Sequence, residues 1–298
     1  MSAKVYFRST MLFNLIVIFG DQMALIPPGY LDAVVALGQA DAQGKKSWCA
    51  TAFLYGHHLK DQKQYQIYLV TNRHVLDNQN HIIVRFDSNV TKQPLELTIP
   101  LVDKSGNQVW HAHSNPDIDI AVIRIDYEML KEKGVQANFF QSNQHLLTKQ
   151  DCITHEVMEG NGVFLLGFPL SLVGVEKNYV LVRSGDIAKI RDCLDNKSKT
   201  FLVNIPNFPG NSGGPLVTKP EVVSIQGTKA YAKSSLIGVI SAYLPYEDIA
   251  VSRQTGKPRV IFQENSGLAL AYPVDCIQET IAEANKMISF ESTPQPAK

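Results

Sequence analysis

The stretch NIPNFPGNSGGPL, residues 204–216, places three glycines and three prolines around a single serine, Ser212. Glycine and proline are typical of turns, so the cluster fits an ordinary surface loop. It also fits a serine whose neighbours expose backbone N–H groups to a developing negative charge, because that arrangement needs a tight turn with little side-chain cover. The rest of the chain must decide between these two interpretations.

The bulk composition is that of a soluble globular protein. The chain has 298 residues, of which 45% are hydrophobic and 19% are charged. Lys plus Arg equals Asp plus Glu, 28 of each, so no excess positive charge favours nucleic acid or an anionic membrane as a partner. The four cysteines are widely spaced and form no C-x-x-C pair, which argues against a structural zinc site and leaves free thiols as the simpler expectation.

The N-terminus admits two interpretations. Lys4 and Arg8 precede an apolar run, MLFNLIVIFG at 11–20, as in a signal peptide. The run is too short for stable membrane insertion, and no clean cleavage site follows it. We therefore expect a buried strand in a cytoplasmic protein, with export through residues 1–24 as the alternative.

Short runs rich in Val, Ile, Phe and Tyr recur along the chain, among them ATAFLYG, YQIYLVTN, DIAVIRI, GVFLLGFP, SLIGVISAY, RVIFQ and GLALAYP. Polar or Gly/Pro-bearing stretches separate these runs, a pattern that predicts an all-β fold. The residues at 274–288 have helical spacing behind Asp275 and predict a C-terminal helix. Strand density drops near 141–160, which divides the chain into an N-terminal segment (1–30), a first β unit (31–150), a second β unit with the helix (151–290) and a loose tail (291–298).

The order of the histidines, Asp119 and Ser212 along the chain restricts the possible class of serine hydrolase. All eight histidines precede Ser212, whereas an α/β-hydrolase places its histidine after the serine. His74 lies where the apolar strand YLVTNRHVL (68–76) runs into a polar turn. Asp119 begins an apolar strand in NPDIDIAVIRI (115–125). A serine nucleophile needs a base and an orienting carboxylate, and these two residues are the candidates.

These segments together resemble a chymotrypsin-fold, trypsin-like serine peptidase. TNRHV is similar to the family's segment around the catalytic histidine, DIDIAVI to that around the aspartate and PGNSGGPL to that around the serine. The likeness extends in order over about residues 31–285 and is closest to the HtrA-like bacterial-type peptidases. The family implies an all-β fold of two packed antiparallel β-barrels followed by the C-terminal helix.

The resemblance also implies residue roles. Ser212 would attack the acyl carbon, His74 would relay the proton and Asp119 would orient the imidazole, with Asp117 as the rival carboxylate. The N–H groups of Gly210 and Ser212 would form the oxyanion hole.

Substrate selection follows from the same likeness. Ser241, Ala242, Tyr243 and Ala269 would line the pocket for the P1 residue, which precedes the scissile bond. Tyr243 stands where related enzymes often have glycine, so we expect small or medium apolar P1 residues, unless its ring packs outward.

Two departures from the family set further expectations. Asn211 precedes the serine where enzymes activated by cleavage have an aspartate, so activation by N-terminal trimming is not expected. About 20 residues follow the start of the last helix, too few for the PDZ domain of HtrA proteins.

Competing functions stay open at this point. His111, His113, Asp117 and Asp119 could ligate a metal, although no HExxH motif occurs. A pseudoprotease that acts as a binding or scaffold module is the non-enzyme alternative, and a cysteine protease is disfavoured because no cysteine lies in a glycine-rich loop. The favoured interpretation is a serine endopeptidase that acts on protein or peptide substrates, with no cofactor and no metal, and with a gating partner left open.

Overall fold

The computed structural model describes residues 24–59, 64–223, 225, 227 and 229–291. The predicted N-terminal strand or export signal and almost all of the predicted tail lie outside these residues. All four cysteines are unpaired. In the described part of the chain, no helix has the length and apolar character needed to cross a membrane.

The first nine strands form one sheet, and most of its pairs are antiparallel. Its main path runs β5-β4-β1-β2-β3-β7-β6, with β8 beside β4 and β9 beside β2. The strands are β1 (Val34–Ala40), β2 (Lys46–Leu59), β3 (Gln64–Thr71), β4 (His81–Ser88), β5 (Leu95–Pro100), β6 (His111–Ala112), β7 (Ala121–Ile125), β8 (Val135–Gln136) and β9 (Phe140–Gln141).

The last six strands close into an antiparallel barrel in the order β10-β11-β12-β15-β14-β13. They are β10 (Gly162–Gly167), β11 (Leu181–Lys189), β12 (Phe201–Asn204), β13 (Pro215–Thr218), β14 (Leu236–Val251) and β15 (Pro258–Pro273). The predicted all-β class with two β units is confirmed. The predicted strands RVIFQ and GLALAYP are parts of the single long strand β15.

Helices occupy the connections and the C-terminus. They are α1 (Pro28–Leu31), α2 (Arg73–Leu76), α3 (Tyr127–Glu132), α4 (Lys149–His155), a 3-10 turn (Pro169–Ser171), α5 (Arg191–Leu194) and α6 (Asp275–Glu291). The predicted C-terminal helix is confirmed as α6. Helix α4 was not predicted, although Thr148 and Asp151 form a capping box at its start.

Strands that are buried on both faces join three hydrophobic cores. Along β10, Val163 and Leu165 point into the core of the closed barrel. The alternate residues Phe164 and Leu166 point into a core that also contains Phe53 of the first sheet. Side chains alternate between the two faces of a strand, which explains why GVFLLG is apolar at every position but its terminal glycines. Because the middle core is shared, the two sheets pack against each other.

A buried arginine also bridges the two sheets. Arg85 of β4 is only 5% exposed, and its guanidinium donates to Gly174 O at 2.5 Å and to Asn178 Oδ1 at 2.7 Å. Asn178 Nδ2 donates back to Arg85 O at 2.5 Å. A buried charge is tolerated where its donors are satisfied, so this contact fixes the connection between β10 and β11 against the first sheet.

Candidate active site between the two sheets

His74 is presented by the short helix α2. Val75 and Leu76 of this helix are buried, so they anchor the turn while the His74 side chain stays 52% exposed. Asn72, the residue before the helix, donates through Nδ2 to Asp119 O at 2.8 Å. The strand end that carries the histidine is therefore tied to the segment that carries the aspartate.

Asp119 holds His74 at two points. Its Oδ1 accepts the His74 backbone N–H at 2.9 Å, and its Oδ2 lies 2.7 Å from His74 Nδ1. Buried Ile118 and Ile120 flank it, which fixes the carboxylate at the start of β7. With Nδ1 bonded to the carboxylate, the imidazole has one tautomer and its Nε2 is left to act as a base.

The rival carboxylate, Asp117, does not take this position. It is exposed, and its own contacts use the backbone: its N–H donates to Asn115 Oδ1 at 3.0 Å and its carbonyl accepts from Tyr272 Oη at 2.8 Å. Of the two aspartates that the sequence offered, the structure brings Asp119 to the histidine.

The two partners shift each other's protonation. The hydrogen bond to Asp119 raises the pKa of His74, although partial burial opposes that shift. Burial disfavours the Asp119 carboxylate, but hydrogen bonds from His74 and Ser241 outweigh it and hold the pKa of Asp119 below its usual range. An ionised aspartate beside a histidine of raised basicity is the electrostatic arrangement of an activated general base.

Ser241 links the aspartate to the serine. Its Oγ donates to Asp119 Oδ2 at 2.6 Å, and its carbonyl accepts the Ser212 hydroxyl at 3.1 Å. Of the described acceptors, it is this carbonyl that the Ser212 hydroxyl reaches in the resting structure. Catalytic hydrogen bonds are often long or absent before substrate binds, so this bond is compatible with a nucleophile at rest.

In the serine loop, residues 205–214, bonded and free backbone N–H groups alternate from Gly210 to Gly213. Asn211 N donates to Phe208 O at 3.1 Å, Gly213 N to Ile240 O at 2.9 Å and Gly214 N to Asn211 O at 2.8 Å. Among the described residues, no acceptor faces the N–H groups of Gly210 and Ser212. These are the two donors that the sequence assigned to an oxyanion hole.

Backbone conformation explains the glycines of this loop. Gly210 has φ of +101° and Gly213 has φ of +84°, a region that residues with a Cβ rarely adopt. A Cβ at Gly210 would also collide with the Phe168 carbonyl. The glycines are therefore required by the turn that exposes Ser212 and its neighbouring N–H groups.

Thr51 of β2 is a site residue that the sequence did not reveal. It is fully buried. Its Oγ1 donates to Gly210 O at 2.7 Å and accepts the Phe168 N–H at 3.0 Å. Its backbone N–H donates to Ser212 O at 2.9 Å. Thr51 thus fastens the serine loop from the opposite sheet, across 159 positions of sequence, and no local pattern signals such a contact.

The four predicted pocket residues occupy different environments. Ser241 is buried and Ala242 is exposed, whereas Tyr243 is half-buried. Ala269 pairs with Tyr243 across the β14–β15 ladder and is fully buried in the core of the closed barrel. Ala242 and Tyr243 are thus the accessible members of the set, next to Ser241.

The histidines and aspartates considered as metal ligands have other partners. His113 Nε2 lies 3.1 Å from Glu279 Oε2, and Asp119 is engaged by His74 and Ser241. In the described residues, no group of three or more His, Cys, Asp or Glu side chains is arranged to hold a metal ion.

Comparison with known families gives an independent result. The model of the trypsin-like peptidase domain matches residues 50–223, more than half of the chain. The chain belongs to the family of trypsin-like peptidase domains. The matched region contains His74, Asp119 and Ser212 and ends before β14. No curated protein matches the sequence at a significant level.

Proposed function

We propose that this trypsin-like peptidase domain is a serine endopeptidase that cleaves protein or peptide substrates through an acyl-enzyme. The observation that supports this most strongly is the continuous set of hydrogen bonds from His74 through Asp119 and Ser241 to Ser212. Asp119 bonds both the backbone N–H and the ring Nδ1 of His74, while the ring itself stays half exposed. A histidine with a purely structural role would not need this combination.

In this mechanism His74 Nε2 takes the Ser212 proton while Oγ attacks the substrate carbonyl carbon. The ionised Asp119 stabilises the imidazolium that forms. The carbonyl oxygen becomes negatively charged and binds the N–H groups of Gly210 and Ser212, and losing one such donor typically raises the barrier by about 3 kcal/mol. The imidazolium then protonates the leaving amine, and water repeats the sequence to release the acid.

We propose a preference for small or medium apolar P1 residues. Tyr243 is half-buried next to Ser241, and the residues that lead to the serine, 204–211, include no acidic residue. A pocket bordered by a tyrosine and lacking an acidic residue at these positions disfavours Lys and Arg, because a buried cation needs a paired charge.

Turnover of a denatured protein substrate tests the reaction class. We expect the wild type to cleave it, Ser212→Ala to lose cleavage, and a chelator to leave cleavage unchanged. Loss of activity on chelation alone would favour metal chemistry. A folded wild type that cleaves nothing would favour the pseudoprotease.

A peptide library with varied P1 residues tests the pocket. We expect Ala, Val or Leu to be preferred by the wild type, and Tyr243→Ala to shift the preference toward Phe and Tyr. An unchanged P1 profile in this variant would mean that the Tyr243 ring packs outward and does not limit the pocket.

A further inference from the structure

Strands β14 and β15 continue well beyond the closed barrel as a two-stranded ribbon, residues 245–265. The pairing of β14 with β13 ends at Val239, and the pairing of β15 with β12 ends at Leu268. From Pro245 to Val251 the only ladder partner of β14 among the described strands is β15. Both outer edges of the ribbon therefore present unpaired backbone groups, which are templates for further strand pairing.

The ribbon exposes large apolar side chains on both faces. Each of these side chains is at least half exposed: Tyr246, Ile249, Val251, Val260, Ile261 and Phe262. The register pairs Ile249 with Ile261, and Asp248 with Phe262 on the opposite face. A two-stranded hairpin has no core of its own and is marginally stable in water, and clustered exposed apolar groups mark interaction surfaces. A partner surface on this ribbon would therefore bury apolar area that the monomer leaves in water.

Charge varies along the ribbon in a defined order. Glu247, Asp248 and Glu264 lie toward the barrel, and Arg253, Lys257 and Arg259 lie toward the far end, all six exposed. None of the ion pairs formed by the described residues includes any of these side chains. The ribbon thus runs from an acidic end through an apolar centre at Ile249 and Ile261 to a basic end.

We propose that the ribbon is the contact surface for a second copy of this chain. A pattern of acidic end, apolar centre and basic end is complementary to its own reverse. Two ribbons related by a two-fold axis near Ile249 and Ile261 place each basic end on the partner's acidic end and bury both apolar centres. Such self-complementarity is the property of an isologous dimer contact.

An extended peptide substrate is a weaker candidate for this surface. Substrates of varied sequence would use the free edge and the apolar side chains, but they would not require opposite charges at the two ends. The charges contribute mainly to orientation and partner choice, and orientation is what an antiparallel pair of ribbons needs.

Two charge-reversed variants of the full chain test the proposal. The first, Arg253→Glu with Lys257→Glu and Arg259→Glu, has a wholly acidic ribbon. The second, Glu247→Lys with Asp248→Lys and Glu264→Lys, has a wholly basic one. Sedimentation velocity over a wide concentration range should show a wild-type dimer, two monomeric variants and a restored heterodimer on equimolar mixing. A control with reversed charges at Lys45, Lys92 and Lys104, exposed residues outside the ribbon, should stay dimeric.

Restoration by mixing also shows that both variants fold, and far-UV circular dichroism of each variant checks this separately. A wild type that is monomeric throughout, or folded variants that remain dimeric alone, would overturn the proposal. So would a monomeric wild type whose ribbon is protected from hydrogen exchange by an added extended apolar peptide, since that result would assign the surface to substrate.

Discussion

The serine loop and the ribbon leave the same end of the closed barrel, where Asn204 pairs with Leu268 and Pro215 with Val239, but they differ in structure. In the serine loop, the N–H groups of Asn211, Gly213 and Gly214 are bonded, whereas those of Gly210 and Ser212 face no acceptor among the described residues. In the ribbon, residues 245–251 and 258–265 are all exposed. The loop leaves free N–H groups beside the Ser212 hydroxyl, while the ribbon leaves its strand edges and apolar side chains uncovered along its length. The first arrangement suits chemistry and the second suits association.

The largest effect is expected at Asp119, the carboxylate bonded to the proposed base His74. Asp119→Asn should reduce kcat/KM by about 10⁴-fold, because the amide favours the wrong imidazole tautomer and cannot stabilise the imidazolium. Asp117→Asn is the matched control and should leave the rate unchanged, since its structural contacts use backbone atoms. Equal losses in the two variants would contradict the assignment of Asp119.

The pH dependence of kcat/KM should report the interaction between His74 and Asp119. Because the pKa of His74 is raised, kcat/KM should fall by about tenfold per pH unit below a midpoint higher than that of an ordinary histidine. The free energy of unfolding should change with pH in the opposite sense. The stabilisation from protonated His74 is complete below the pKa of an unfolded histidine, and it is lost as the pH rises through the pKa of His74 in the folded protein. An NMR titration of the His74 ring in Ser212→Ala checks the midpoint, and a value at or below the ordinary one would refute the ion pair.

One strand allows a direct comparison of its two halves. Ile240 of β14 is fully buried, whereas Ile249 is 52% exposed. Ile240→Ala should lower the free energy of unfolding by about 2–5 kcal/mol, and Ile249→Ala should change it by less than about 0.5 kcal/mol. Urea unfolding is best measured in the background of Arg253→Glu with Lys257→Glu and Arg259→Glu, so that association does not contribute to the measured free energy. Comparable losses would mean that the ribbon is packed within the monomer.

The smallest effect is expected at Thr51, whose hydroxyl bonds the serine loop at Gly210 O. Thr51→Val keeps the shape of the side chain but leaves Gly210 O and Phe168 N without their hydroxyl partner, at a cost of about 1–3 kcal/mol in the free energy of unfolding. Thr51→Ser keeps the hydroxyl and should retain most of the stability and of the nucleophile's reactivity. If Thr51→Val matches Thr51→Ser in both, Thr51 does not position the loop.

Sequence patterns predicted the local features and missed those created by tertiary contact. Strands such as GVFLLG were evident because apolar residues, bounded by glycines, occupy both faces. Strand β1 (Val34–Ala40) was missed because a short Ala- and Val-rich run does not distinguish strand from helix. Helix α4 had a readable signal in its capping box, Thr148 to Asp151.

The ribbon and the site differ again in what their sequences show. Both faces of the ribbon are exposed, so its strands lack the alternation of apolar and polar residues that marks a half-buried strand. In the site, the order of His74, Asp119 and Ser212 was readable, but the bridge from Ser241 to Asp119 joins residues 122 positions apart. Contacts of that kind depend on how the two sheets pack, which no local pattern reports.

Treatment with a fluorophosphonate, read out by intact mass, tests most directly whether Ser212 is an activated nucleophile. We expect the wild type to gain one phosphonyl group and Ser212→Ala to gain none. A folded wild type that stays unlabelled would mean that the serine is not activated. Equal labelling of both proteins would mean that the nucleophile lies elsewhere in the chain.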